Sequence, residues 1–380
     1  MNKKINILHI CSYFSGISAV YEHTFEELDK LGHMQKIYVP NRLIKREKKV
    51  SFTDSGSEIY FRQIWNNFSR IAYFNKIKKA TTDAINILPL EDCNVMHAHS
   101  WFTDGGIAYR LFENYNIPYV ITVRSTDVDT FAKYFYHVHS YGKRILLNAK
   151  KIIFVSKAYE RRVLDFPFLA DNREEILKKS VVLPNGIDDF WIKAVQDKKQ
   201  IIDKKHIKIL YIGNFLRRKN VKALIHAVDH INSLSHKISL EIVGGGREYS
   251  NKLLQLIENN ENINFLGKIK NKERLAQVIR QNDIFVMPSY NETFGLVYIE
   301  ALSQGIPVIY SKNEGIDGFH AHNIGERVDH KNVEEIAQAI LKVYDDYEQY
   351  DFVPKEIIKH HQWSEIAQKL SAIYYTCLEK

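Results

Sequence analysis

The chain has 380 residues, 45% of them hydrophobic and 26% charged, with 22 Tyr and 20 Phe, which is apolar mass for two ordinary cores. This composition excludes a disordered or fibrous chain, and three scattered cysteines (Cys11, Cys93, Cys377) exclude a disulfide framework. The net charge of +8 falls mostly in the first half, yet no helix carries the dense basic stripe with stacking aromatics that nucleic acid would require.

The first predicted element is a strand at Ile5–Ile10. Asn6 and His9 interrupt it and no small-residue cleavage site follows, so it does not read as a signal peptide. No stretch approaches the ~20 apolar residues of a membrane span, and the expected location is cytoplasmic. An amphipathic helix follows at Val20–Leu31, then strands at Lys36–Val39, Glu58–Arg62, Val95–His99, Tyr119–Arg124, Lys151–Val155 and Val181–Pro184. Basic residues gather at Lys45, Arg46, Lys48 and Lys49, at Lys76, Lys78 and Lys79, and at Lys150 and Lys151. They read either as solvated surface or as a face toward an anionic membrane leaflet or a phosphorylated acceptor.

A polar segment, Asp188 to Lys205, marks a linker after Pro184-Asn185-Gly186. Fresh strands follow at Ile207–Ile212, Ile238–Val243, Ile263–Leu266, Ile284–Met287 and Val308–Tyr310. Helices are expected at Val221–Ser233, Lys252–Asn259, Asn271–Arg280 and Trp363–Lys380. Alternation of this kind predicts an α/β chain of two Rossmann-like, doubly wound domains facing across a cleft, with ligand-binding loops beyond the strand ends. The expected domains are residues 1–186, joined by the last helix crossing back (about 363–380), and residues 187–362.

Four loops carry candidate chemistry. Ser12-Tyr-Phe-Ser-Gly-Ile-Ser18 contains Gly16, which permits close approach to a ligand, though a plain strand-to-helix turn reads equally well. Thr122-Val-Arg-Ser-Thr-Asp-Val128 offers Arg124, which cannot act as a base, and Asp127. Gly213-Asn-Phe-Leu-Arg-Arg-Lys-Asn220 places three consecutive cations where a diphosphate leaving group could be neutralised. Last, Thr293 is expected to cap a helix running to Gln304, with Gly305 ending it. The amides of Phe294, Gly295 and Leu296 would form an anion site, with Glu292 and Glu300 as hydroxyl acceptors on either side.

The stretch Pro288-Ser-Tyr-Asn-Glu-Thr-Phe-Gly-Leu-Val-Tyr-Ile-Glu-Ala-Leu-Ser-Gln-Gly-Ile-Pro-Val308 closely resembles the donor-site signature of glycosyltransferase family 4, in its Glu-x7-Glu spacing, Phe-Gly step and closing Gly-x-Pro-Val. Weaker likenesses include Gly32-His33, Val95-Met-His-Ala-His99, Asn185-Gly-Ile-Asp188, Ile242-Val-Gly-Gly-Gly246 and Phe265-Leu-Gly267. The resemblance implies the GT-B fold and retaining hexosyl transfer from a UDP- or GDP-sugar to a glycan or lipid-linked saccharide, in bacterial capsule, lipopolysaccharide or cell-wall synthesis. It implies that Glu300 holds the ribose, Glu292 the hexose, and Thr293 to Leu296 the diphosphate. Lys219 falls on the family lysine, whereas Asn214 replaces the family arginine, so that Arg217 or Arg218 would substitute. Arg124 and Ser125 stand where many members have His-Gly. Arg124 would bind donor phosphate or orient the acceptor, Asp127 would contact the acceptor or hold Arg124, and His99 would at most line the acceptor side. Gly16 matches the family's donor-side glycine loop.

Asp127-Val-Asp129 and His97-Ala-His99 are weak metal motifs, the latter without a further nearby ligand in sequence. No metal or other cofactor is expected. The run Gly244–Gly246 lacks a full dinucleotide fingerprint. Two alternatives stay open: a catalytically silent partner subunit, suggested by Asn214 and Arg124, and a nucleotide-sugar epimerase.

Overall fold

The computed structural model describes residues 4–14, 19–43, 50–53, 55–66, 72–199, 206–234, 236–246 and 250–379. The chain divides into two compact units. One comprises residues 1–155, 160–186 and 363–380, the other residues 156–159 and 187–362.

The first unit is built on seven parallel strands among the described residues: β1 (Asn6–Ile10), β2 (Met34–Asn41), β3 (Glu58–Gln63), β4 (Val95–Ala98), β5 (Tyr119–Val123), β6 (Lys151–Phe154) and β7 (Ser180–Val182). Their spatial order is β3-β2-β1-β4-β5-β6-β7, with every pair parallel. Strands β4 and β5 are buried at every position, as central strands covered on both faces must be. The helix Trp363–Leu378 lies on this sheet. Trp363, Ile366, Leu370 and Tyr374 pack with Ile5, Ile7, Val95 and Val120. Two polar ties fix it in place: the Tyr374 hydroxyl lies 2.6 Å from Nδ1 of His97, and the Ser371 hydroxyl 2.7 Å from Nε2 of His33. Gly186 is demanded here, because a Cβ at that position would sit 2.4 Å from the Trp363 ring.

The second unit holds β8 (Ile207–Asn214), β9 (Ile238–Gly245), β10 (Ile263–Gly267), β11 (Ile284–Met287), β12 (Val308–Ser311) and β13 (Gly325–Val328), in the order β10-β9-β8-β11-β12-β13 and all parallel. Both units are therefore Rossmann-like sheets in which the strand order reverses once, beside β1 in the first and beside β8 in the second. Crevices for ligands open at that reversal, beyond the carboxyl ends of the strands. Strand β13 is absent from the sequence expectation. It is a short edge strand with only Val328 fully buried, so its four residues carry no apolar pattern to read.

Candidate active site

In the second unit the reversal lies between β8 and β11, and the loops leaving those strands meet there. The β8 loop turns through a short 3-10 segment, Arg217–Lys219, and Asn220 then takes a left-handed conformation (φ 56°). The β11 loop begins at Pro288. Two hydrogen bonds sew the loops together: the Tyr290 N–H donates to the Arg218 carbonyl at 2.8 Å, and the Asn220 side-chain amide donates to the Pro288 carbonyl at 3.1 Å.

This closure brings Lys219 onto Glu292. The ammonium donates to Oε2 of the carboxylate, and Arg218 stands 3.7 Å from the same oxygen. Both partners of the close pair are largely shielded from water. Glu292 is held further by its own backbone, which donates to Glu314 at 2.9 Å and accepts from the Gly315 N–H at 3.0 Å. Arg217 points elsewhere and is exposed, so of the two candidate arginines Arg218 is the one placed beside Glu292. Asn214, the last residue of β8, is exposed.

The expected helix from Thr293 to Gln304 is shorter than its sequence suggested, and Thr293 is not its cap. The helix spans Leu296–Ser303, and its N-cap is Gly295 in a left-handed conformation (φ 83°, ψ 70°), without a side-chain cap. The reason is steric. Here the chain folds so tightly on itself that a Cβ on Gly295 would lie 2.5 Å from the Tyr298 ring. Only glycine meets both demands, and the turn it makes puts the N-cap two residues after Thr293 and the first helical residue, Leu296, three after it. Phe294 precedes the helix, with its ring buried against Phe319 and His361. The first-turn N–H groups without intrahelical acceptors are thus those from Leu296 onward. Gly305 does stand just beyond the helix end, donating to the Leu302 carbonyl at 3.0 Å.

Glu300 lies on the same helix, near Asp188 and Lys272, which form an ion pair at 2.5 Å. Burial pushes its carboxyl up to about 7, Asp188 adds to the shift, and Lys272 opposes it. Near neutral pH this group can both donate to and accept from hydroxyls. A raised carboxyl pKa means that the folded state retains the proton. The associated penalty is therefore absent below the ordinary value of 4.5 and complete above about 7. Glu300→Gln is accordingly expected to leave stability almost unchanged at pH 4.5 and to raise it at pH 8 by on the order of 2 kcal/mol. Equal changes in Tm at the two pH values would contradict this.

In the first unit the β4 and β5 loops meet around Asp127. Its carboxylate accepts backbone N–H groups from Trp101 (2.8 Å), Phe102 (3.1 Å) and Arg124 (2.9 Å) and is fully buried. The Arg124 contact is to its backbone N–H and not to its guanidinium. The Arg124 side chain lies over the Tyr21 ring at 5.3 Å and reaches Asn185 at 3.4 Å, and its buried Nε finds no partner among the described residues. His99 is an interior residue, hydrogen-bonded to His9 at 3.0 Å and stacked on His97 at 4.0 Å. Gly16 lies outside the described residues, as do Lys45, Arg46, Lys48 and Lys49.

Two residues here escaped sequence reasoning. His9 joins His97 and His99 to make three convergent histidines whose nitrogens lie within 4.8 Å of one another. Burial lowers all three pKa values, and both nitrogens of His97 are already engaged, by Tyr374 and Thr122. Asp104 follows β4, accepts the Ser12 N–H at 3.1 Å, and is pushed up to about 7 by burial. Its position one turn beyond a strand at the reversal point was the available signal.

The two halves also match known families. Residues 14–189 fit the sequence model for "Glycosyltransferase Family 4", and residues 193–369 that for "Glycosyl transferases group 1". The chain is a GT-B glycosyltransferase. This glycosyltransferase is 25% identical to an uncharacterized glycosyltransferase of Methanocaldococcus jannaschii over 89% of this chain and 93% of that one. It is 26% identical to a putative teichuronic acid biosynthesis glycosyltransferase of Bacillus subtilis, over 66% of this chain and 61% of that one. Its fold is similar to that of a sucrose-phosphate synthase from Thermosynechococcus elongatus, with a TM-score of 0.72 and 20% identity over 98% of this chain and 99% of that one. As a GT-B enzyme it moves a sugar from a nucleotide-diphosphate donor to an acceptor. Among its described residues no helix is long and apolar enough to cross a membrane.

Proposed function

We propose that the enzyme transfers a hexose, with retention, from a UDP- or GDP-sugar to a glycan or lipid-linked saccharide in bacterial surface polysaccharide synthesis. The observation that carries this reading is the convergence of Lys219 and Arg218 on Glu292, beside the helix start at Leu296. Before donor binds, the carboxylate balances the two cations. With donor bound, Lys219 and Arg218 face the diphosphate and Glu292 accepts from the sugar hydroxyls, while Glu300 accepts from the ribose. The second domain holds the donor and the first the acceptor, with Arg124 orienting it and Asp127 fixing the loop that bears Arg124. As the bond from the anomeric carbon to the phosphate oxygen breaks, negative charge grows on the diphosphate, where the two cations stabilise it. The acceptor oxygen bonds to the same carbon from the same face, and its proton passes to a phosphate oxygen. Two cations in place on the leaving group support a reaction without a metal. The likeness to the teichuronic acid enzyme supports a surface-polymer acceptor.

We also place the enzyme at the inner face of the plasma membrane. In the first domain Phe74, Tyr134 and Tyr136 are exposed, Phe74 against Tyr141 and Tyr136 against His139 in the first turn of the helix His139–Asn148, with Lys78 lining the same surface as Phe74 and Lys133 over the Tyr134 ring. Aromatic rings flanked by lysines suit an anionic interface. Raising ionic strength should release the protein from anionic vesicles, and binding indifferent to salt would remove this placement.

A panel of UDP- and GDP-hexoses, with and without EDTA, tests the catalytic reading. One nucleotide class should bind and be slowly hydrolysed, unaffected by EDTA, with the sugar released in the donor's own anomeric configuration. Absence of donor binding would mean a silent subunit. An epimerised sugar formed without acceptor would mean an epimerase.

A further inference from the structure

We infer that the second domain carries a separate site for a phosphate-bearing amphiphile with a hydrocarbon chain, in a pocket lined by Arg217 and Asn220 of the loop that holds Lys219 but not by Lys219 itself. The pocket has a volume of about 800 Å³, the size of a small-ligand site. Its floor is apolar: Phe215, Leu216, Val221, Leu253 and Leu256. Its rim is cationic, with Arg217, Lys222 and Lys331 all exposed and His330 beside them, and no carboxylate lines it among the described residues.

The helix Val221–Ser233 starts at this rim, and its N-cap residue, Asn220, makes no side-chain cap. The Ala223 N–H is taken by the Asn220 carbonyl at 3.1 Å, which leaves the amides of Val221 and Lys222, with the positive dipole end, at the rim that carries the three cations. A phosphate at the helix start, with a chain laid over the leucines, satisfies both halves of the pocket.

A nucleotide fits less well. The side-chain amide of Asn220 is committed to the Pro288 and His330 carbonyls, at 3.1 and 2.7 Å, and is not available to read a base edge. A hydrocarbon chain needs no such partner. Tyr290, its ring tilted against His330 at 5.4 Å between centroids, closes one side. Tyr290 and Arg217 belong to the two loops that also carry Glu292 and Lys219, so an occupant would stiffen the frame of the donor site.

The test is calorimetric titration of the full chain with octyl phosphate below its micelle concentration, with inorganic phosphate, octyl glucoside and uridine monophosphate as comparison probes. Octyl phosphate should bind at one saturable site, about tenfold or more tighter than inorganic phosphate or octyl glucoside. The double variant Lys222→Ala, Lys331→Ala should weaken it about tenfold or more while leaving nucleotide-sugar affinity unchanged. Leu256→Gln should weaken octyl phosphate but not inorganic phosphate. No saturable binding, binding indifferent to these variants, or a preference for uridine monophosphate that the double variant abolishes would each overturn the assignment. Because the readout is direct binding of a probe without a sugar, failure here leaves the donor site untouched.

Discussion

Lys219→Ala should slow sugar transfer by roughly a hundredfold or more, the scale on which a preorganised stabiliser of developing charge acts. In the free protein its ammonium is held against Glu292 and lies near the Met287 sulfur, at 3.6 Å, so its position is set before any donor arrives. Arg218 remains in the variant and should preserve part of donor binding, so the loss should appear chiefly in turnover at saturating donor. Glu292→Ala should be as damaging for another reason: it removes the carboxylate proposed to accept from the sugar hydroxyls and leaves a largely buried ammonium without its counterion. Such unpairing costs stability as well as activity. Glu292→Gln, which keeps the shape, is the cleaner variant. Initial rates with fold monitored by circular dichroism decide the matter, and near wild-type turnover in both Lys219→Ala and Glu292→Gln would sink the site.

The second large effect is expected at Asp127, on stability. Its carboxylate is the acceptor for three backbone N–H groups from two loops, those of Trp101, Phe102 and Arg124. Alanine would leave all three buried donors unmatched at once, at roughly 1–3 kcal/mol each, lessened by whatever relaxation lets in water. A loss of about 3 kcal/mol or more in denaturant unfolding is therefore expected. Asp127→Asn, which keeps one acceptor oxygen, should lose less. An alanine variant as stable as the parent would show that these loops are held by something else.

Much of the architecture was legible because central parallel strands announce themselves. The fully buried runs at Tyr119–Val123 and Ile284–Met287 have no polar face to disguise them. Edge strand β13 lacked that signal. At the site, sequence spacing placed Glu292 and Lys219 in loops after strands, but their pairing depends on β8 and β11 being spatial neighbours across the order reversal, a long-range fact. Thr293 was misread because a capping residue is recognised by type, whereas the turn at Gly295 is decided by the Tyr298 ring behind it. Likewise His9 and His97 sit opposite each other across paired strands β1 and β4, a proximity that linear spacing hides.

The helix Trp363–Leu378 has a consequence for how the molecule comes into being. The first domain takes in the earliest residues of the chain, yet its sheet is covered by a helix made after the whole of the second domain. Until then Ile5, Ile7, Val95 and Val120 lack their partner layer, and His97 and His33 lack Tyr374 and Ser371. The second domain, complete by Gln362, can close while the first is still unfinished. Order of synthesis and order of completion are thus reversed for the two halves. Loss of the helix Trp363–Leu378 would leave residues 187–362 intact and strip the cover from the domain that was made first.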